Sequence, residues 1–210
     1  MTSRVLPRLY VVTNRHQTRE RPLHLVLNET LQSGTSFIQL REKDLSTHQL
    51  LTLAKDILTG VHQHKGLLLI NDRIDIAKAI GADGVHLRSD SLPIQQARRI
   101  LGSKAIIGKS THSLNEVLAA ETAGADFILL GPIYDTPSKR SYGSPLGMAV
   151  LTEACQQCSL PIYAIGGITP ERIPELNEAG AYGIAAISAI LESQAIPSVT
   201  KHFLDALERS

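Results

Sequence analysis

The chain has little of what several large functional classes require. Aromatic residues make up 4% of its 210 residues, and 21 Lys and Arg are balanced by 20 Asp and Glu without a basic run. That leaves neither stacking platforms nor a cationic stripe for nucleic acid. No apolar run reaches membrane-spanning length, and the N-terminus lacks the basic-then-apolar pattern of a secretory leader, so a cytoplasmic protein without a membrane partner is expected. The two cysteines, Cys155 and Cys158, have C-x-x-C spacing but no second pair or histidine cluster to complete a metal site, and reduced cysteines on an amphipathic helix are the expectation. Neither a G-x-x-x-x-G-K-[ST] loop nor a dinucleotide-binding pattern occurs, which argues against nucleotide cofactors. No Pro/Gly/Ser-rich or charged linker interrupts the chain, so residues 1–210 are expected to form a single domain.

What is present is an alternation. Short aliphatic or β-branched runs at Leu9–Thr13, Phe37–Arg41, Leu67–Ile70, Gly84–Leu87, Ala105–Gly108, Phe127–Leu130, Pro161–Ile165 and Gly183–Ile187 are separated by segments of helical periodicity. That is the pattern of parallel strands joined by crossover helices. Ser46, Pro93, Ser113 with Glu116, and Pro170 mark helix starts. Gly81-Ala82-Asp83-Gly84, Ala123-Gly124-Ala125-Asp126 and Ala179-Gly180-Ala181-Tyr182-Gly183 repeat one helix-to-strand joint, with a glycine able to take the left-handed helix-ending conformation. A uniform array of eight such units closes into a (β/α)8 TIM barrel.

Strands buried on both faces should be almost wholly apolar, yet polar residues gather at their C-terminal ends, which in a barrel share the catalytic rim. Gln39, Arg41 and Lys43 alternate, so they point the same way, and two converging cations suit a diphosphate unless they are a solvated strand end. Asp72, beside Asn71, could hold a divalent cation such as Mg²⁺ with Asp90 as the second carboxylate, or each could cap a helix. Thr136, Ser138 and Lys139 lie in a long Pro/Gly-punctuated loop suited to covering an anionic ligand, unless that loop has no chemical role. Gly166-Gly167 and Ile187-Ser188 follow the last two strands, where barrels present backbone N–H groups to a phosphate; the glycines could equally serve only to turn the chain. His86 and His112 lie near strand ends without a nucleophile at motif spacing.

Read in order, Leu9-Tyr10-Val11-Val12-Thr13, Gln39-Leu40-Arg41-Glu42-Lys43, Ile70-Asn71-Asp72-Arg73, Gly84-Val85-His86-Leu87, Gly131-Pro132-Ile133-Tyr134, Thr136-Pro137-Ser138-Lys139, Ala164-Ile165-Gly166-Gly167-Ile168 and Ile187-Ser188-Ala189-Ile190 resemble the thiamine phosphate synthase family, whose superfamily also contains thiazole tautomerases. The resemblance implies condensation of a hydroxymethylpyrimidine diphosphate with a thiazole phosphate, with Mg²⁺. It carries the pyrophosphate-binding cations onto Arg41, Lys43 and Lys139, and pyrimidine and pyrophosphate contacts onto Gln39, Asn71 and Ser110. Thiazole contacts fall on Thr136 and Ser138, thiazole phosphate contacts on Gly167, Ile187 and Ser188, and a magnesium ligand on Asp72. The synthases usually follow the strand-four His with Gly-Gln-Glu-Asp; here Arg88-Ser89-Asp90-Ser91 stands there, so the second aspartate falls on Ser91 unless Asp90 substitutes. A thiazole tautomerase would instead carry a catalytic His at the position of Pro132. The runner-up functions are that isomerase and a non-catalytic thiazole-phosphate-binding paralogue, and assembly into a homo-oligomer is left open.

Overall fold

The structure is a computed structural model that describes residues 5–136 and 144–209. Its elements are β1 (Leu9–Val12), α1 (Leu23–Gln32), β2 (Phe37–Leu40), α2 (Thr47–Gln63), β3 (Leu67–Asn71), α3 (Ile74–Ile80), β4 (Gly84–Leu87), α4 (Ile94–Leu101), β5 (Ile106–Thr111), α5 (Leu114–Thr122), β6 (Phe127–Leu130), α6 (Gly147–Gln157), β7 (Ile162–Ile165), α7 (Ile173–Glu178), β8 (Gly183–Ala186), α8 (Ser188–Leu191) and α9 (Ile196–Glu208). The strands pair in parallel with their sequence neighbours, and β8 pairs with β1, so the sheet closes into the expected eight-stranded barrel.

Strand periodicity splits the buried residues into two cores. Leu9 and Val11 of β1, Ile38 and Leu40 of β2 and Leu68 and Ile70 of β3 face the helices, whereas Tyr10, Val12, Phe37, Leu67, Leu69, Phe127 and Tyr163 form a separate interior cluster. Tyr10, Phe37, Phe127 and Tyr163 come from four strands yet their rings lie within 4.2 to 5.9 Å of one another, which only a closed interior allows. Burying such large rings gives the barrel a solid floor beneath the rim.

The local signals act as their chemistry requires. Ser46 caps α2 in a reciprocal box: its Oγ accepts from the Gln49 N–H, and the Gln49 side chain accepts from the Ser46 N–H. Ser113 caps α5 in the same way, but the Glu116 carboxylate accepts from the His112 N–H at 2.7 Å instead of completing the box. Gly81 ends α3 in the left-handed region at φ 69°. Pro170 opens a 3₁₀ turn, Pro170–Arg172, ahead of α7.

One boundary differs in a way that matters for function. β5 runs to Thr111, beyond the expected end at Gly108, because Lys109, Ser110 and Thr111 are in register with Ile128, Leu129 and Leu130 of β6. Ser110 is therefore held by a strand and not by a loop. Cys155 and Cys158 lie at the end of α6; burial pushes the Cys155 thiol up to about 11 and raises that of Cys158 too, which disfavours the thiolate that redox or metal chemistry needs.

Candidate active site

A cavity of about 700 Å³ opens at the C-terminal ends of the strands. Part of its lining follows from the period of two. The inward series of five strands continues past the interior core into the cavity: Phe37 leads to Gln39, Arg41 and Lys43; Leu69 to Asn71; Leu129 to Gly131; Tyr163 to Ile165 and Gly167; Ala185 to Ile187. Gln39, Arg41, Lys43, Asn71, Asp90, Ser110, Thr136, Gly167, Ile187 and Ser188 all line this one cavity. Ser138 and Lys139 lie outside the described residues.

The backbone that carries Arg41 and Lys43 is held from behind. Glu42, between them, points the other way and is buried at 5% exposure. Its carboxylate accepts from the Thr13 hydroxyl at 2.6 Å and from the Arg15 backbone N–H at 3.0 Å, while the Thr13 hydroxyl oxygen accepts from the Arg41 N–H at 2.9 Å. Arg15 adds its guanidinium to Glu42 at 3.3 Å and pairs with the exposed Asp44, whose carboxyl it holds well below the usual range. A buried carboxylate with this many donors ties the tip of β2 to the segment after β1. The alternation that placed the two cations in the cavity thus also placed Glu42 where it anchors the strand tip that carries them.

Asp72 does not line the cavity; it is out of phase with Asn71 and sits in the left-handed region at φ 62°. A non-glycine residue there carries strain that its surroundings must support. It does not cap α3, whose N-cap is Arg73 without a side-chain bond. Its carboxylate instead accepts from the Ser91 hydroxyl and lies 3.8 Å from the Arg88 guanidinium. Asp90 does not cap α4 either, whose N-cap position is Pro93, without a side-chain bond. It pairs with Arg88, and that partner holds its carboxyl below the usual range. Ser91, and not Asp90, is the side chain that meets Asp72. Arg88, which the sequence offers only as the first residue of the Arg88-Ser89-Asp90-Ser91 stretch, joins both carboxylates from the cavity wall.

On the far arc of the ring the wall is glycine, small and apolar residues: Ile165, Gly166, Gly167, Ile168, Ile187 and Ser188 line it. Gly166 and Gly167 have φ of 100° and 66°, and added Cβ atoms would come within 2.6 Å of the Pro132 Cβ and 2.8 Å of the Asp135 carbonyl oxygen, respectively. Both torsion and space demand glycine there. Arg172 braces the turn: it donates to the Gly167 carbonyl, and its guanidinium lies 4.2 Å from the centre of the Tyr134 ring. Tyr134 in turn donates to Glu175, and burial, with that carboxylate, raises its phenol well above the ordinary range. Nothing in the spacing of Tyr134, Arg172 and Glu175 announces this brace, because it joins the loop after β6 to α7.

Below the cavity floor a polar group is enclosed by the aromatic interior. His86 is 1% exposed and does not line the cavity. Burial, then the charges of Lys109 and Arg41, hold its pKa down to about 3, so the ring is neutral. Gly108 makes room for it: a Cβ there would fall 2.2 Å from the Phe127 ring and 2.7 Å from His86 Nδ1. His112 does line the cavity, with its Nδ1 2.6 Å from the Gly131 carbonyl oxygen.

The arrangement can therefore receive an anion on Arg41 and Lys43 and a second against the Gly167 and Ser188 turns. Comparison with known proteins points the same way. A family model described as thiamine monophosphate synthase matches residues 9–190. A Geobacter sulfurreducens protein provisionally named as a thiamine-phosphate synthase is 46% identical over 183 residues, 87% of this chain and 86% of that protein. A Clostridium novyi protein named thiamine-phosphate synthase is 39% identical over 194 residues, 92% of this chain and 95% of that one. Among solved structures, the thiamine phosphate pyrophosphorylase of Pyrococcus furiosus superposes with a TM-score of 0.88 at 31% identity, covering 96% of each chain.

Proposed function

The chain belongs to the thiamine monophosphate synthase family and is a transferase of thiamine biosynthesis, and we propose that its rim cavity joins hydroxymethylpyrimidine diphosphate to a thiazole phosphate, releasing pyrophosphate. The observation that carries this reading is one cavity with two unlike anion-facing walls, Arg41 and Lys43 on one arc and the Gly167 and Ser188 turns on the other. A reaction that brings together two phosphorylated partners needs both.

Breaking the bond between the pyrimidine methylene and the diphosphate leaves positive charge on carbon and adds negative charge to the departing oxygen. Arg41 and Lys43, carried on a strand tip whose backbone the Thr13–Glu42 anchor holds, stabilise that developing charge. Gln39, Asn71 and Ser110 orient the pyrimidine diphosphate, and Lys139 is assigned to the leaving group with them. Thr136 and Ser138 meet the thiazole, while Gly167, Ile187 and Ser188 hold its phosphate, so the thiazole nitrogen faces the methylene and water is kept out.

Magnesium suits the residues present. Asp72 is a carboxylate diverted from helix capping, with the Ser91 hydroxyl against it, and both are hard oxygen donors. Mg²⁺ is commonly held by one or two carboxylates with waters and substrate phosphate oxygens completing its shell. Asp72, outside the cavity lining but 3.8 Å from the cavity-lining Arg88, would hold the ion at the cavity's edge with Ser91 beside it, and Asp90 would join only by leaving Arg88. When bound, the ion supplies further neutralisation of the diphosphate charge. Pro132, which lines the cavity where a tautomerase would carry its histidine, has no proton to exchange and favours the transferase over the isomerase.

The test is pyrophosphate release by the purified protein given the pyrimidine diphosphate, thiazole phosphate and Mg²⁺. Turnover that is lost in Lys43→Ala and in Asp72→Ala supports the proposal. No turnover, with proton exchange in the carboxylated thiazole, selects the isomerase; binding of thiazole phosphate with neither activity selects a binding paralogue. Among the described residues no helix is long and apolar enough to cross a membrane.

A further inference from the structure

We propose that His86 is a positioning residue that fixes the Ser110 hydroxyl as a hydrogen-bond donor to the bound ligand, with its tautomer dictated by Tyr10. The inference deepens the transferase reading and rests on it only for the ligand's identity, an acceptor atom of the pyrimidine diphosphate.

The chain of contacts runs from the aromatic interior to the cavity. Gln39 Nε2 donates to the Tyr10 phenol oxygen at 2.9 Å. Tyr10 Oη lies 3.4 Å from His86 Nδ1, the longest link, and His86 Nε2 lies 2.8 Å from Ser110 Oγ. Direction follows by elimination. The phenol oxygen already accepts from Gln39, and Tyr10 is buried among the rings of Phe37, Phe127 and Tyr163. Its O–H needs an acceptor, and among the described residues the ring nitrogen of His86 is the one within reach. Nδ1 must then be bare, which puts the ring proton on Nε2. Nε2–H donates to Ser110 Oγ, and the Ser110 proton is left to point elsewhere. Ser110 lines the cavity, so that proton faces the ligand.

The opposite tautomer would set Nδ1–H against an oxygen that already takes a proton from Gln39, and would leave the buried Tyr10 O–H without an acceptor. It would also make Ser110 donate inward to Nε2, presenting only lone pairs to the ligand. An oxygen of a diphosphate, or an acceptor nitrogen of a pyrimidine, would then meet repulsion in place of a hydrogen bond. The strand placement of Ser110 and the space left by Gly108 hold the geometry rigid.

Two measurements test this. Long-range ¹H–¹⁵N NMR of the labelled full chain at neutral pH, with the His86 signals identified by their loss in His86→Gln, is expected to show a bare Nδ1 and a protonated Nε2. A protonated Nδ1 overturns the proposal, and this arm needs no activity and no folded Tyr10 variant. Steady-state kinetics should show Tyr10→Phe lowering kcat/KM for the pyrimidine diphosphate by about 3- to 10-fold, the worth of one hydrogen bond, but by less than about twofold in a Ser110→Ala background. Equal falls in both backgrounds mean that Tyr10 acts on packing alone and overturn the relay. If the protein shows no turnover, the transferase reading fails; the same cycle is then read on affinity for inorganic pyrophosphate by calorimetry, where coupling supports the positioning role and its absence refutes it.

Discussion

Along the arc of β2 to β4 the cavity wall carries its charged side chains, Arg41, Lys43, Arg88 and Asp90, among polar neighbours, whereas along β7 and β8 it carries none and is built of glycine, alanine, isoleucine and Ser188. Side-chain cations can follow charge as it builds on a leaving group, and they need anchors such as the Thr13–Glu42 pair to hold the backbone that carries them. A backbone turn costs no side-chain entropy and cannot adapt; what it needs is glycine and a brace such as Arg172. The charged wall suits the part of the substrate that changes during reaction, and the uncharged wall suits the part that does not.

If that contrast holds, the two walls should fail in different kinetic terms. Arg41→Ala or Lys43→Ala is expected to lower kcat by about 10²- to 10³-fold, as removal of a preorganised charge-stabilising group does, in a pyrophosphate-release assay at saturating substrates. A variant that changed only KM would show that the cations merely bind. Gly167→Ala should act the other way. Forcing a Cβ into φ 66° beside the Asp135 carbonyl costs about 1–3 kcal/mol of strain, seen as a rise of about tenfold or more in KM for the thiazole phosphate with a smaller change in kcat.

The floor between the walls gives a pH test. His86 is held at about 3 in the folded chain against about 6.5 when unfolded. Between those values the unfolded chain carries the extra proton, so stability falls as pH drops from about 6.5 toward 3, by up to about 1.4 kcal/mol per pH unit from this group. Urea melts at pH 5 and pH 7 should show a shallower dependence in His86→Gln than in the parent chain. Smallest of all, Asp90→Ala should leave the Mg²⁺ concentration for half-maximal activity within about twofold, because it removes only an exposed, solvent-screened partner of Arg88. A tenfold shift would put Asp90 in the metal shell and weaken the division drawn between it and Asp72.

Much of this was legible in the one-dimensional pattern. The alternation of Gln39, Arg41 and Lys43, the repeated glycine joints and the polar strand tips are short-range features, and the barrel aligned them as parallel pairing must. Glu42 was passed over because its value lies in the direction it points, opposite to its neighbours, toward Thr13 just past the end of β1. The departure at Ser91 reads from the sequence as a lost carboxylate; in the fold it is the hydroxyl that touches Asp72. Arg88 carried no motif, and its place between two carboxylates depends on the β3 and β4 loops meeting.

By itself the amino-acid order determined which residues would reach the rim, because a strand's period of two and its polar C-terminal end are local properties that parallel pairing carries over unchanged. The tertiary structure alone decided how those residues are aimed and held. The run of hydrogen bonds from Gln39 through Tyr10 and His86 to Ser110, the bracing of Gly167 by Arg172 and the contact of Ser91 with Asp72 each join segments far apart in the chain. The direction of a hydrogen bond depends on every other donor and acceptor that burial brings within reach.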